Sequence, residues 1–226
     1  MIYRSKSFNL HRPLESSGLT RANSFSGKWS KSFNIRASIV IKEVSALSAH
    51  RAVEKILNET MDDDWNDIEY STLNNETRKW HDRFCQTKDI LSNILSVSEG
   101  LSMESPTELS MDRSRELFFV AYFRSVPVGA LYLLVTNNGR IPEVVYVATH
   151  CGIRNCGPLL IESAVNKSQQ FGTGGKLKLF PLEKARYAYL KMGFSNLNLM
   201  MQLVPSEHPD KWIWNTNTQR YKYNFI

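Results

Sequence analysis

A glycine–proline step at the start of an apolar stretch is the feature of this sequence best suited to chemistry. Residues 154–165 read RNCGPLLIESAV. Proline is favoured at the first position of a helix, where its missing N–H is not needed, so we expect a helix to open at Pro158. The N–H groups of a first turn have no partner inside the helix, and Gly157 lets a ligand approach closely. This combination is typical of an anion site, above all one for phosphate.

The spacing of apolar residues predicts the elements that would hold this loop. The loop follows Glu143–Thr149 (EVVYVAT), a nearly continuous apolar run typical of a buried central strand. The helix that it opens should end at Gly172. Further strands are predicted at 37–42, 116–123, 128–136, 177–180, 198–204 and 220–225, and further helices at 47–59, 77–98 and 182–192. The order β-α-α-β-β-β-α-β-α-β-β predicts an α/β protein with a mixed sheet and helices on its faces.

Composition limits the classes of protein that this chain can belong to. It has 226 residues, 42% of them hydrophobic, which suffices for one domain with a sizeable core. A formal net charge of +6 favours an anionic ligand or partner. The three cysteines, Cys85, Cys151 and Cys156, are irregularly spaced, which argues against both a disulfide framework and a zinc site. No apolar run is long enough for a transmembrane helix.

The ends of the chain differ from its centre in composition. Residues 1–36 hold seven Lys/Arg and one acid, are rich in Ser and lack sustained periodicity. We therefore expect a disordered leader over 1–35, a folded domain over 36–204, and an aromatic and basic extension over 205–226 that supplies a closing strand. The leader resembles organellar transit peptides and the leaders of bacterial type III effectors. The expected location is the cytoplasm, with secretion into a host cell or import into an organelle as alternatives.

Two motifs, each on the element where it should lie, resemble those of the GNAT acyltransferases, which move an acetyl group from acetyl-CoA to an amine. The pyrophosphate loop of that family reads Q/R-x-x-G-x-G/A. Arg154 and Gly157 match it, and Leu159 departs from its last position. The second motif, A-x-x-x-Y-x-x-x-G-F, is matched in full by residues 185–194, ARYAYLKMGF. The resemblance covers residues 37–204 in element order, and it implies the GNAT fold, a central mixed sheet flanked by helices.

The resemblance implies acetyl-CoA as co-substrate and no metal. Backbone N–H groups and the positive end of the helix would hold the pyrophosphate. Backbone N–H groups of the preceding strand would stabilise the oxyanion that forms during transfer. The residues implied in binding acetyl-CoA are Val147, Ala148, Thr149, Arg154, Asn155, Cys156, Gly157, Pro158 and Leu159.

The resemblance also suggests which side chains move protons. Tyr189 would be the general acid at the CoA sulfur. Glu143 would be the general base, as in histone-acetyltransferase-like members, because partial burial at the start of its strand would suit it to that role near neutral pH. His150 is a second candidate for the base, and an ordered water is a third. A covalent route through Cys151 or Cys156 is a less favoured possibility.

Three functions remain open at this point. The first is acetylation of a protein lysine, an N-terminus or a small amine, because the acidic segment 61–70 (MDDDWNDIEY) would attract an ammonium group. The second is acetylation of aminoacyl-tRNA by a toxin, because residues 211–223 (KWIWNTNTQRYKY) mix aromatic and basic side chains. The third is a non-catalytic GNAT-fold effector or binding module, because Leu159 and Leu182 depart from the family pattern.

Overall fold

A seven-stranded sheet forms the centre of the computed structural model, which describes residues 35–61, 75–103, 114–136 and 139–225. In chain order its strands are β1 Ile39–Val44, β2 Arg115–Phe123, β3 Val126–Val135, β4 Glu143–Thr149, β5 Leu177–Leu179, β6 Ser195–Leu197 and β7 Met200–Leu203. They lie in the order β1-β2-β3-β4-β5-β7-β6. The β4–β5 pair is parallel and the other pairs are antiparallel.

The connections explain this mixture of directions. β2 and β3 are joined by a two-residue turn at Arg124 and Ser125, whose φ angles are 47° and 69°, as a tight hairpin requires. β4 and β5 are parallel, so the chain must cross a face of the sheet between them, and it does so through the helix Gly157–Gln170. The sheet therefore changes direction at the strand that leads into the predicted anion loop.

Helices cover both faces of the sheet. They are α1 Ile35–Ser38, α2 Ala46–Lys55, α3 Asn75–Met103, α4 Gly157–Gln170 and α5 Arg186–Lys191. A π-helical turn, Ile56–Thr60, continues α2, and short 3-10 turns lie at Glu183–Ala185 and Pro205–Glu207. Ser45 caps α2 by accepting the Ser48 N–H at 3.3 Å.

Each face of the sheet has its own core. On one face, α2 and α3 bury side chains against β2, β3 and β4, among them Val53, Phe84, Leu91, Phe118 and Ala148. On the other face, α4 buries its apolar side against β3 and β5, with Leu160, Ile161, Ala164, Leu131 and Leu177. The predicted α/β architecture is confirmed, and it is the arrangement that the GNAT resemblance implies.

The last two strands form a separate hairpin on the outer side of α4. β8 Trp212–Asn215 pairs with β9 Arg220–Tyr223. Asn166 of α4 accepts the Tyr221 N–H at 2.8 Å and donates to its carbonyl at 2.9 Å. Glu162 accepts the Tyr223 N–H at 2.6 Å. The predicted strand at the end of the chain is present, but it pairs with Trp212–Asn215 instead of closing the main sheet.

Other expectations differ from the structure in their limits. α3 continues through Gly100 to Met103, beyond the helix 77–98 that the sequence predicts. The predicted helix 182–192 begins as a 3-10 turn because Leu182 is still extended, with ψ of 142°. The predicted leader, except for Ile35, and the acidic positions 62–70 lie outside the described residues. Among the helices that are described, none is both long enough and apolar enough to cross a membrane.

Candidate active site

The predicted anion site lies at the carboxyl end of β4, where the chain turns into α4. Cys156 is the N-cap residue of α4, and Pro158 stands in its first turn. The Cys156 side chain is fully buried. Asn155, just before it, has a φ of 62°, a left-handed conformation that Asn adopts more readily than most residues. The buried thiol and the left-handed residue together define the course of the loop.

The backbone N–H groups of residues 154–157 are available to a ligand. Within the part of the chain that is described, they donate no hydrogen bond, whereas the Leu159 and Leu160 amides bond to the Cys156 carbonyl at 3.1 and 3.3 Å. A Cβ placed on Gly157 would meet no atom within 4 Å, so open space lies beside the loop. The first turn of α4 carries no acidic side chain that would repel an anion.

Leu159, which departs from the family pattern, does not obstruct this loop. Its side chain is 5% exposed and packs in the core beneath α4. Arg154 and Asn155, in contrast, are exposed. The residues present therefore fit a pyrophosphate: free N–H groups, open space at Gly157, a helix N-terminus and one exposed cation.

A second opening adjoins the loop, because β4 and β5 separate soon after they begin to pair. They are in register only at Glu143↔Lys178 and Val144↔Leu179. β5 ends at Leu179, while β4 continues to Thr149. We call the resulting gap, beside residues 145–149 of β4, the β4 opening. It starts where the two strands meet and ends at the anion loop.

Two N–H groups of β4 point into the β4 opening. His150 N–H donates to the Val128 carbonyl at 2.8 Å, and paired residues of an antiparallel ladder alternate between bonded and non-bonded positions. From this register, Ala148 bonds toward β3, whereas Val147 and Thr149 direct their N–H groups to the other side. Val147 and Thr149, rather than Ala148, therefore present the free donors among the three predicted positions.

The close approach of β3 fixes the end of β4. Gly129 lies opposite Thr149. A Cβ at Gly129 would lie 3.0 Å from both the Ala148 carbonyl oxygen and Thr149 Cγ2. The absence of a side chain at this position thus lets the two strands pack closely beside the β4 opening.

Tyr189 lies on α5, and the end of that helix holds it in place. Gly193 has a φ of 94° and donates its N–H to the Leu190 carbonyl at 3.0 Å, while Phe194 N–H donates to the Tyr189 carbonyl at 3.0 Å. This is a Schellman motif, whose usual apolar contact is made here by the Tyr189 and Phe194 rings, 5.4 Å apart. The second motif thus contains both Tyr189 and the residues, Gly193 and Phe194, that end α5 and orient the Tyr189 ring.

The surroundings of Tyr189 keep its phenol protonated. Its ring packs against the same core as Val147, Ile153 and the buried residues of α4. Burial desolvates the phenolate and raises the pKa of Tyr189 to about 12. Its hydroxyl bonds to none of the residues that the structure describes. The hydroxyl is therefore a donor whose hydrogen bond is available to a ligand.

Glu143 lies at the other end of β4 from the loop, where β4 and β5 meet. Its carboxylate is half-buried and lies 3.1 Å from Lys178 Nζ. A seven-residue strand is about 20 Å long, so a ligand held at the loop would have to extend along the β4 opening to reach it. The structure thus places Glu143 beside a cation within the sheet, in contrast to the apolar setting that its sequence neighbours suggest.

The remaining candidates are engaged in the core. His150 is fully buried; its Nε2 donates to the Thr60 carbonyl at 2.7 Å and its Nδ1 accepts the Gly152 N–H at 3.0 Å. Burial lowers the pKa of His150 to about 4. Burial also raises the pKa of Cys156 to about 12, which keeps that thiol from ionising. His150 is thus unsuited to act as a base, and Cys156 is unsuited to act as a nucleophile.

Comparisons with known proteins give structural likenesses only. No family model matches the chain, and no curated protein matches it. Among solved structures, the PaiA N-acetyltransferase of Thermoplasma acidophilum, in complex with coenzyme A, is 17% identical over 73% of this chain and 98% of its own, with a TM-score of 0.41. A GNAT-family acetyltransferase of Streptococcus pneumoniae is 14% identical over 74% and 98%, with a TM-score of 0.42. The IAA acetyltransferase of Bacillus cereus is 17% identical over 81% and 95%, with a TM-score of 0.40.

Likenesses of this size carry no argument about activity, acceptor or the roles of residues. What this chain can do follows from its own side chains and from the geometry around β4.

Proposed function

We propose that this chain is an acetyl-CoA-dependent N-acetyltransferase of the GNAT type. The observation that carries the proposal is the continuity of two features along β4. Free N–H groups at residues 154–157 lie at one end of the β4 opening, and the Val147 and Thr149 N–H groups point into it, with Tyr189 packed against the same core cluster as Val147. A linear ligand with an anionic head and amide groups along its arm fits both features, and acetyl-CoA is such a ligand.

Each part of the site has a role in holding this ligand. The loop amides and the α4 N-terminus bind the pyrophosphate, and Arg154 adds a charge. The open edge of β4 bonds to the amides of the arm, as one strand does to the next. The acetyl group then lies beside the Val147 N–H, and the incoming amine approaches from the end of β4 where Glu143 lies.

The chemistry requires a neutral amine, a stabilised oxyanion and a stabilised leaving group. Glu143 takes a proton from the ammonium group, and the neutral nitrogen attacks the carbonyl carbon of the thioester. The Val147 N–H is the donor for the oxygen as it gains charge, and the Thr149 N–H, two residues nearer the loop, bonds to the arm. When the C–S bond breaks, Tyr189 donates its O–H to the departing sulfur.

The pKa of Tyr189 limits how far that donation goes. At about 12 it exceeds the ordinary thiol value of about 8.5, so complete transfer of the proton to sulfur is uphill. Tyr189 therefore acts chiefly as a hydrogen-bond donor that stabilises the thiolate. The attacking nitrogen loses a second proton as the amide forms, and this proton balances the one that the thiolate finally gains, while the first remains with Glu143 until solvent removes it.

The acceptor that we favour is a cationic amine: a protein lysine, an N-terminus or a small amine. Glu116, Glu143 and Lys178 lie in one row across the sheet, on the face covered by α2 and α3. Burial, together with the Glu116 and Glu143 carboxylates, raises the pKa of the neighbouring Tyr132 to about 12. Negative charge on this face attracts an ammonium group and disfavours phosphate.

Aminoacyl-tRNA is an alternative acceptor that the C-terminal hairpin supports less well. Trp212 is buried and its ring packs 5.1 Å from that of Tyr223, so much of the aromatic side is used within the hairpin. Trp214 is 38% exposed, but its ring packs 4.8 Å from that of Tyr221. Arg220 and Lys222 are exposed on the opposite side of the hairpin, away from these rings. A non-catalytic binding module is the remaining alternative, and it predicts that acetyl-CoA does not bind.

Thermal unfolding with and without acetyl-CoA tests the proposal. A ligand that binds only the folded chain stabilises it by about 2.7 kcal/mol at a hundred times its Kd. Gly157→Glu should abolish this shift, because the new carboxylate would occupy the space of the pyrophosphate. Gly100→Glu is the matched control, since a side chain there also meets no atom within 4 Å but lies on α3.

If acetyl-CoA causes no shift in the unaltered protein, the chain is not an acetyltransferase. An equal shift in both glutamate variants would place the ligand elsewhere. Once binding is established, a panel of lysine peptides, free N-termini, small amines and aminoacyl-tRNA identifies the acceptor by product mass.

A further inference from the structure

His150 joins three parts of the chain through hydrogen bonds. It is the first residue after β4, and its backbone N–H donates to Val128 of β3 at 2.8 Å. Its ring accepts the Gly152 N–H at 3.0 Å and donates to the Thr60 carbonyl at 2.7 Å. Because a carbonyl can only accept and an N–H can only donate, the ring is neutral with its proton on Nε2.

One end of this bridge is the anion loop. Gly152 lies two residues before the first free amide of the loop, and Ile153 N–H also donates to the His150 carbonyl, at 2.9 Å. A ligand bound to residues 154–157 therefore restrains the segment to which the His150 ring is hydrogen-bonded, at Gly152.

The other end is the π-helical turn that follows α2. Thr60 ends this turn, and Ile56 and Met61 are fully buried in the same core cluster as Cys151. A π-helical turn holds one residue more than a regular helix and is common at functional sites. This turn ends α2 on the face of the sheet where Glu143 lies, which is the face proposed for the acceptor.

We propose that His150 is a positioning residue that couples occupation of the acetyl-CoA loop to the π-helical turn on the acceptor face. The inference rests on the proposed function. The bond between Nε2 and the Thr60 carbonyl is the link, so acetyl-CoA binding steadies the turn before the acceptor arrives. A histidine with only a structural role would stabilise the whole domain, and it would not make the π-helical turn respond to acetyl-CoA binding.

Two amide substitutions separate the two bonds of the ring. In His150→Gln the amide nitrogen lies near the position of Nε2, so the bond to Thr60 is kept and the one to Gly152 is lost. In His150→Asn the shorter side chain reaches Gly152 but not Thr60. Both variants replace a buried ring by an uncharged amide, and each breaks the bridge at one end only.

Amide hydrogen exchange of the full chain, followed by mass spectrometry, measures the coupling. Saturating acetyl-CoA should slow exchange of the peptide 50–61 about fivefold in the unaltered protein, the factor that corresponds to one net hydrogen bond. It should not slow it in His150→Gln, because that variant lacks the bond to the loop at Gly152. In His150→Asn the loop peptide 151–160 should still be protected, while the peptide 50–61 should not respond. The peptide 84–95 of α3, in the same core cluster, should respond in none of them.

The outcomes are distinct. If acetyl-CoA does not bind the unaltered protein, measured by calorimetry, the proposed function fails and the coupling fails with it. If it binds but leaves exchange in 50–61 unchanged, only the coupling is overturned. Equal slowing in both variants would also overturn it, as would slowing that spreads to 84–95. His150→Gln breaks the bridge at its loop end, so it keeps the coupling testable even if His150→Asn does not fold.

Discussion

Acid should destabilise this protein through one buried residue, His150. The ordinary pKa of a histidine is 6.5, and burial lowers that of His150 to about 4 in the folded chain. Between these two pH values His150 binds a proton in the unfolded chain but not in the folded chain. The contribution of His150 to the free energy of unfolding is therefore complete above about pH 6.5 and is lost as the pH drops toward 4.

The size of this loss follows from the two pKa values. Each pH unit between them costs about 1.4 kcal/mol, so the total approaches 3 kcal/mol at pH 4. This is a large share of the 5–15 kcal/mol typical of a domain's stability, as an order of magnitude. The cause is that protonated Nδ1 cannot accept the Gly152 N–H, and a cation would be buried without a counter-charge.

Urea unfolding at pH 7, 6, 5 and 4, read by circular dichroism, measures the effect. Carboxylates also titrate in this range, so the informative quantity is the difference between the unaltered chain and His150→Gln, which has no ionisable group at the site. This difference should shrink by about 3 kcal/mol from pH 7 to pH 4. Parallel curves for the two proteins would refute the reasoning and show that His150 is accessible to solvent protons in the folded state.

Three further predictions concern the site and its support. Tyr189→Phe should lower kcat about 10²-fold with little change in melting temperature, because it removes one hydroxyl and keeps the ring on Phe194; unchanged kcat would exclude a role at the sulfur. Glu143→Gln should lower kcat/KM at pH 7 by a similar factor and restore part of it at high pH, where the amine is already neutral; a uniform loss at every pH would make Glu143 a binding residue. Glu162→Gln should lower the free energy of unfolding by about 2 kcal/mol, because it weakens charged bonds to Arg36 and to the Tyr223 N–H; an unchanged midpoint in urea unfolding would show that these bonds contribute nothing to stability.

The parts of the fold that depend on local chemistry could be predicted from the sequence. Pro158 at the first turn and Gly172 after the last turn define α4, and the position of Glu143–Thr149 was predicted to the residue. The second motif could be recognised because Gly193 must adopt a positive φ to end α5 beneath Tyr189. In each case the residues that indicate the structure lie within a few positions of the helix end or strand that they form.

The parts that depend on distant contacts could not be predicted. Which of residues 147–149 present free N–H groups depends on the β3–β4 register, and neither strand reveals that register by itself. The bond from His150 to Thr60 spans 90 residues and involves a backbone carbonyl, which has no signature in sequence. The hairpin is held by Asn166 through backbone groups of Tyr221, so its aromatic residues suggested a strand but not its partner.

The β4 opening has a consequence for the protein without its ligand. Unpaired strand groups are a template for any extended chain, and folded proteins normally pair or cover them because they promote aggregation. Here Val147 and Thr149 leave such groups unpaired inside the sheet, where a ligand arm can reach them from the loop end. If the chain binds acetyl-CoA as proposed, preparations freed of it should therefore be the ones that self-associate on storage. Ligand occupancy would then decide how long the protein remains monodisperse.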